Sequence, residues 1–394
     1  MDYNFDEIIE RKGTSCVKHD MMSRDFGGED FLPMWVADMD FRTPPFIMDA
    51  VRERCNHDIL GYTYADRKYY EAIMWWMERH YNIKTEKKEI HYIPGIVTGI
   101  AFAIQVFTNI GDKILVTVPV YPPFINLPKA GGRKVVTTPL FIKNDKFNIN
   151  FKILNERIKG CKMMILSNPH NPGGTIWTHE ELDKIANICH KNNCLLISDE
   201  IHADLTLFGH KHNSFSTISD IAKNISITFL APSKTFNIPG LSSSIAYIPN
   251  EDLRKKYFKY IDGYELANGN LFAYIGVKAA YTQKGEEWLE QLKKYLEGNV
   301  KYMKDFFDKN MPLVRYVAPD ASYLAWINLK QYGIAHEDMF ERLLDIGKIA
   351  LNDGTNFGLS NNAFKGFFRL NLGCPKIILE DALDRLYKTF GRGK

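Results

Sequence analysis

From about residue 90 to 250, short apolar runs alternate with amphipathic stretches, the pattern of strands separated by helices in a parallel sheet. The clearest strand candidates are 113–118, 163–166, 194–198 and 225–230, and their near-continuous hydrophobicity implies burial on both faces. Thr178 followed by Glu181 announces a capped helix running to about His190. Beyond about residue 286 the texture changes to long amphipathic segments from Glu287 onward, then a short strand at 323–329, which reads as a smaller α+β lobe. Gly27-Gly28, Pro33 and Pro44-Pro45 make the first 45 residues look like an arm. The expected organisation is therefore an arm over 1–45 that contributes to the small lobe, a large α/β domain over 46–286 and a small domain over 287–394.

Composition narrows the function classes. At 394 residues with 45% hydrophobic and 25% charged positions, the chain is neither disordered nor a disulfide-stapled scaffold. Fifty basic against 47 acidic side chains leave a net charge of +3, too little over this length to suggest nucleic-acid binding. The acidic start, Asp2 to Glu7, lacks the basic and apolar regions of a secretory signal, and six scattered cysteines show no metal-type spacing, so a reduced cytoplasmic protein without a metal is expected. The longest mostly apolar stretch, Ile96 to Phe107, is too short to cross a bilayer, so no membrane partner is expected.

The candidate chemistry lies just after the expected strands. Val120-Tyr121-Pro122-Pro123, 168–174 (NPHNPGG), 198–202 (SDEIH) and 231–237 (APSKTFN) all sit where the carboxyl ends of strands border a ligand crevice, so these loops should converge. Convergence brings together a lysine, an aspartate, an asparagine and a tyrosine, groups suited to pyridoxal 5'-phosphate (PLP) held as a Schiff base.

Tyr121, Asn-Pro-Gly at 171–173, Asp199, Ser233-Lys234 and the late Arg369, in that order, resemble the fold-type I PLP enzymes of the class I/II aminotransferase superfamily. Within it, the strings at 11–20, 38–41 (DMDF), Gly61-Tyr62, 198–202, 233–239 and 369–375 (RLNLGCP) resemble the MalY/PatB branch, the cystathionine β-lyase-type carbon–sulfur lyases. The resemblance spans almost the whole chain. It implies a mostly parallel seven-stranded sheet with helices on both faces, and a homodimer with active sites at the interface.

The resemblance also implies roles. Lys234 forms the Schiff base and then moves the Cα proton, work an amine does only when its pKa is lowered. Asp199 pairs with the pyridine nitrogen, Asn171 donates to the ring's phenolate oxygen, and Tyr121 stacks on the ring face. The amides of Ile96 and Val97 at a helix N-terminus meet the phosphate, helped by Ser233, and Tyr62 reaches the phosphate of the other subunit. Arg369 takes the substrate carboxylate in a bidentate grip.

Two positions depart from the wider superfamily and agree with the lyase branch. His202 stands where many relatives carry tyrosine, and Ser242 where many carry a phosphate-binding arginine. His19 stands where that branch usually has tryptophan and departs from it. The expected function is β-elimination from sulfur-containing amino acids, giving thiol, pyruvate and ammonia. Transamination shares its first half and stands as the alternative, and a PLP-containing regulatory binding partner with little turnover is the alternative of another class.

Overall fold

The computed structural model describes residues 2–266, 268–360 and 362–391. Its centre is an eight-stranded sheet in the order Ile90–Ile93, Ser244–Tyr247, Ser226–Leu230, Leu195–Asp199, Cys161–Ser167, Lys113–Val118, Lys134–Lys143, Lys146–Ile149. The five middle strands run parallel and the edges antiparallel, giving a mixed but mostly parallel core. The strand expected at 113–118 is found there residue for residue, and the ends of the others shift by at most two positions. The sheet has one strand more than the seven expected. The eighth closes a hairpin whose turn, Asn144-Asp145, holds both residues at positive φ, 54° and 56°, the backbone a two-residue hairpin demands.

Side-chain alternation explains why the middle strands look apolar throughout. Ile114, Val116, Ile165 and Ile197 face one core, beneath the helices Ile96–Phe107 and Glu251–Gly263, whereas Leu115, Met164 and Leu196 face the other, beneath His179–Lys191. That last helix begins with the expected reciprocal cap between Thr178 and Glu181.

A second sheet of four antiparallel strands, Arg315–Val317, Leu324–Asn328, Phe367–Asn371 and Asn352–Asp353, carries Arg369. Beside it run a 28-residue helix, Gln283–Asn310, capped by Thr282, and the helix Lys376–Phe390. The arm joins this region through Leu32–Pro33, which pairs in parallel with Ile349–Ala350.

One buried carboxylate ties distant elements to the loop after Ser226–Leu230. Asp204 accepts from Trp76 at 3.0 Å and from Tyr81, both on the helix Arg67–Tyr81, and from Thr235 at 2.8 Å. Trp76 in turn stacks between His80 and Tyr281. Among the described residues no helix is long and apolar enough to cross a membrane.

Candidate active site

The carboxyl ends of the parallel strands open on a cavity of about 370 Å3. Asp199 ends one strand, Tyr121 and Asn171 follow two others, and Lys234 lies four residues beyond Leu230. Lys234, Asp199, Asn171, Tyr121, His202 and Ser233 all line it, as do Ile96 and Val97 at the start of their helix and Arg369 from the second sheet. Tyr62 does not: it lies fully exposed on a segment without regular secondary structure, with Ile59, Leu60 and Tyr64.

The charges in the cavity are held far from their solution behaviour. Burial pushes the Asp199 carboxyl up to about 7, against the pull of a backbone N–H from Ile201 and the positive charge of Lys234. Burial also brings the Lys234 amine down to about 8, helped by Arg369 and opposed by Asp38 and Asp199. Its Nζ donates to the Ala37 carbonyl at 2.5 Å. His202, buried and flanked by the charges of Lys234 and Arg369, is held down to about 3 and is a neutral imidazole, with Nδ1 lacking a partner.

Arg369 is 5% exposed, and its guanidinium is committed on two sides. Nη1 donates to Asn171 Oδ1 at 3.1 Å, and Nη2 donates to the Trp35 carbonyl at 3.0 Å and to Asn352. Its Nε is buried without a partner, an N–H that an anion entering the cavity can satisfy. With Oδ1 of Asn171 taken by Arg369, the NH2 end of that amide is the one left to donate.

These features fit PLP. A buried carboxyl, Asp199, with no ion pair among the described residues matches a protonated ring nitrogen, and Lys234 lining the same cavity matches the aldehyde. The first N–H groups of the helix Ile96–Phe107, with Ser233, Ser242, Ser243 and Ser244, match the phosphate. Sequence reasoning passed over Asn352, Ser243 and Ser244; the serine run was visible as a cluster of hydroxyls just before an apolar strand, but nothing local marks Asn352. Among the described residues no group of three or more His, Cys, Asp or Glu could hold a metal ion.

The raised carboxyl has a thermodynamic signature. A group whose folded pKa exceeds its unfolded value of 3.8 binds its proton more tightly when folded, so its contribution to stability declines as pH climbs from about 4 to 7. Asp199→Asn removes that decline. In thermal unfolding of the ligand-free protein, the variant is expected to gain on the parent across this range, by roughly 4 kcal/mol for a shift of this size. An unchanged difference between pH 4 and 7 would contradict the buried, unpaired carboxyl.

Comparison with known proteins points to the same cofactor. Cystathionine β-lyase PatB of Bacillus subtilis is 41% identical over 385 residues, covering 97% of this chain and 98% of its own. Cystalysin from Treponema denticola, solved with pyridoxal 5'-phosphate, superposes with a TM-score of 0.94 at 32% identity over 99% of both chains. A PLP-bound protein of Clostridium difficile, provisionally classed as an aminotransferase, superposes at 0.95 with 37% identity over 99% of this chain and 100% of its own. Residues 29–386 match the model of the aminotransferase class I and II family, and the chain belongs to that family.

Proposed function

We propose that the protein is a PLP-dependent carbon–sulfur lyase that removes the sulfur substituent from cystathionine-type or cysteine-S-conjugate amino acids, releasing thiol, pyruvate and ammonia. The observation that carries this is the placement of the Lys234 amine, held near a pKa of 8, in one cavity with Asp199 and Arg369. Kinship with proteins named as cystathionine β-lyases and carbon–sulfur lyases favours elimination over transamination.

When bound, PLP supplies an electron sink that makes the substrate's Cα–H acidic. The chain does the rest. Arg369 grips the α-carboxylate, and its anchors on Asn171, Asn352 and the Trp35 carbonyl fix the fork. Lys234 holds the cofactor covalently at rest and, once displaced, takes the Cα proton on Nζ; its lowered pKa leaves a useful neutral fraction near neutrality. Asp199 supplies the negative charge beside the ring nitrogen, and Asn171 donates to the ring oxygen. Tyr121 covers a ring face, while Ile96, Val97, Ser233 and neutral His202 complete the pocket. We take the active unit to be a cytoplasmic homodimer, supported by the exposed Ile59, Leu60, Tyr62 and Tyr64, with Tyr62 completing the partner's phosphate site.

Incubating the PLP-loaded protein with L-cystathionine is expected to yield pyruvate, ammonia and thiol in equal amounts. Glutamate from 2-oxoglutarate and an amino donor, without pyruvate, would instead make it a transaminase. Neither product would favour a binding role.

A further inference from the structure

The segment 34–41 passes over Lys234 without regular secondary structure, so its carbonyls cannot be satisfied by a ladder. Apart from Met34, whose carbonyl accepts from the Asn371 backbone N–H at 3.1 Å, they are met mainly by side chains from the two halves of the site. Asn371 donates Nδ2 to the Val36 carbonyl at 2.6 Å and to the Asp38 carbonyl at 2.7 Å. Its Oδ1 accepts from the Gly373 N–H at 2.8 Å, which fixes the amide's orientation, and the residue is 1% exposed. Asn237 does the same from the other side: Nδ2 donates to the Met39 and Phe41 carbonyls, both at 2.8 Å, and Oδ1 accepts from the Met39 N–H at 3.1 Å.

The origin of these donors is the informative point. Asn371 lies two residues after Arg369 on the same strand, and Asn237 lies three residues after Lys234 in the same loop. Just before the Asn371 grip the Trp35 carbonyl accepts from Arg369 itself, and within that grip the Ala37 carbonyl accepts from Lys234 and, at 2.9 Å, from Tyr323. The outer side is clamped too: Asp38 is paired with Arg11 at 2.6 Å, and Asp40 with the fully buried Lys18 at 2.5 Å.

We infer that Asn371 and Asn237 are positioning residues, and that the segment 34–41 is a splint setting the separation of the Lys234 amine from the Arg369 guanidinium. The inference rests on the roles proposed above for those two side chains. A splint anchored at both ends transmits an error at either asparagine to both groups at once, so substrate binding and proton transfer suffer together.

Two substitutions test it. Asn371→Asp keeps the acceptor for Gly373 but sets a carboxylate oxygen against two carbonyls. Asn237 sits at φ 55°, so Asn237→Gly suits the backbone while removing the amide, and it serves if the first variant fails to fold. In the PLP-loaded protein, each is expected to raise hydrogen exchange in 34–41 by about 10-fold or more with little change elsewhere. Each should also lower kcat and raise KM together, with kcat/KM down about 30- to 100-fold, and should shift the pH at which the bound cofactor's absorbance titrates. Folded variants with parental exchange, absorbance titration and kinetics would overturn the inference. Should the parent itself release no pyruvate, the lyase reading fails, while exchange and absorbance still judge the splint.

Discussion

Lys234→Ala is expected to abolish turnover, with a fall of about 10^4-fold or more, because in the proposed mechanism one substitution removes both the covalent anchor and the proton-transfer group. The environment explains why no neighbour replaces it. In the proposed roles Asp199 is occupied by the ring nitrogen and Arg369 by the substrate carboxylate, and His202 is a neutral ring whose pKa is held down to about 3, too weak a base for a Cα proton. With the Lys234 amine brought down to about 8, roughly a tenth of it is neutral at pH 7, against well under a hundredth for an ordinary lysine. The variant should fold, since it loses a buried cation beside another cation. Borohydride treatment followed by peptide mapping should find the pyridoxyl label at position 234 in the parent and none there in the variant. More than about 1% of parental pyruvate production, above the range that loss of a general base leaves, would assign the proton to another group.

Arg369→Lys is expected to cost about 10^3-fold in kcat/KM for the amino-acid substrate, most of it as a higher KM. Charge is conserved, but the fork is lost. The guanidinium reaches Asn171, Asn352 and the Trp35 carbonyl while keeping Nε free, and it lies over the Phe357 ring at 5.2 Å. An ammonium offers one point charge and leaves Asn171 free to swing, so the amide facing the ring also loses its fixed orientation. Steady-state kinetics with a short and a long sulfur substituent check this: both should suffer alike, because the α-carboxylate is common to them. An unchanged KM would place the carboxylate elsewhere.

How much could be read beforehand depended on whether the signal was local. Strands such as Lys113–Val118 announce themselves because burial on both faces demands an unbroken apolar run, and the Thr178 cap has its partner three residues away. Lys234, Asp199, Asn171 and Tyr121 stood out because they punctuate the ends of such runs, and the structure gathers them in one cavity. The hairpin strand Lys146–Ile149 was less legible, since Lys146-Phe-Asn-Ile149 is short and half polar and only the Asn144-Asp145 turn marks it. Asn352 and the use of Asn371 were illegible for another reason: each matters through contacts more than 300 residues away or through a partner on a neighbouring strand, which no pattern along the chain encodes.

The Asp204 carboxylate couples the loop carrying Lys234 to the aromatic core. Thr235, the residue beside the reactive amine, is stapled to the same carboxylate that holds Trp76 and Tyr81 in the aromatic core. The loop cannot slacken without pulling that cluster apart, so warming should extinguish catalysis and melt the core in a single event rather than leave a folded but inert enzyme.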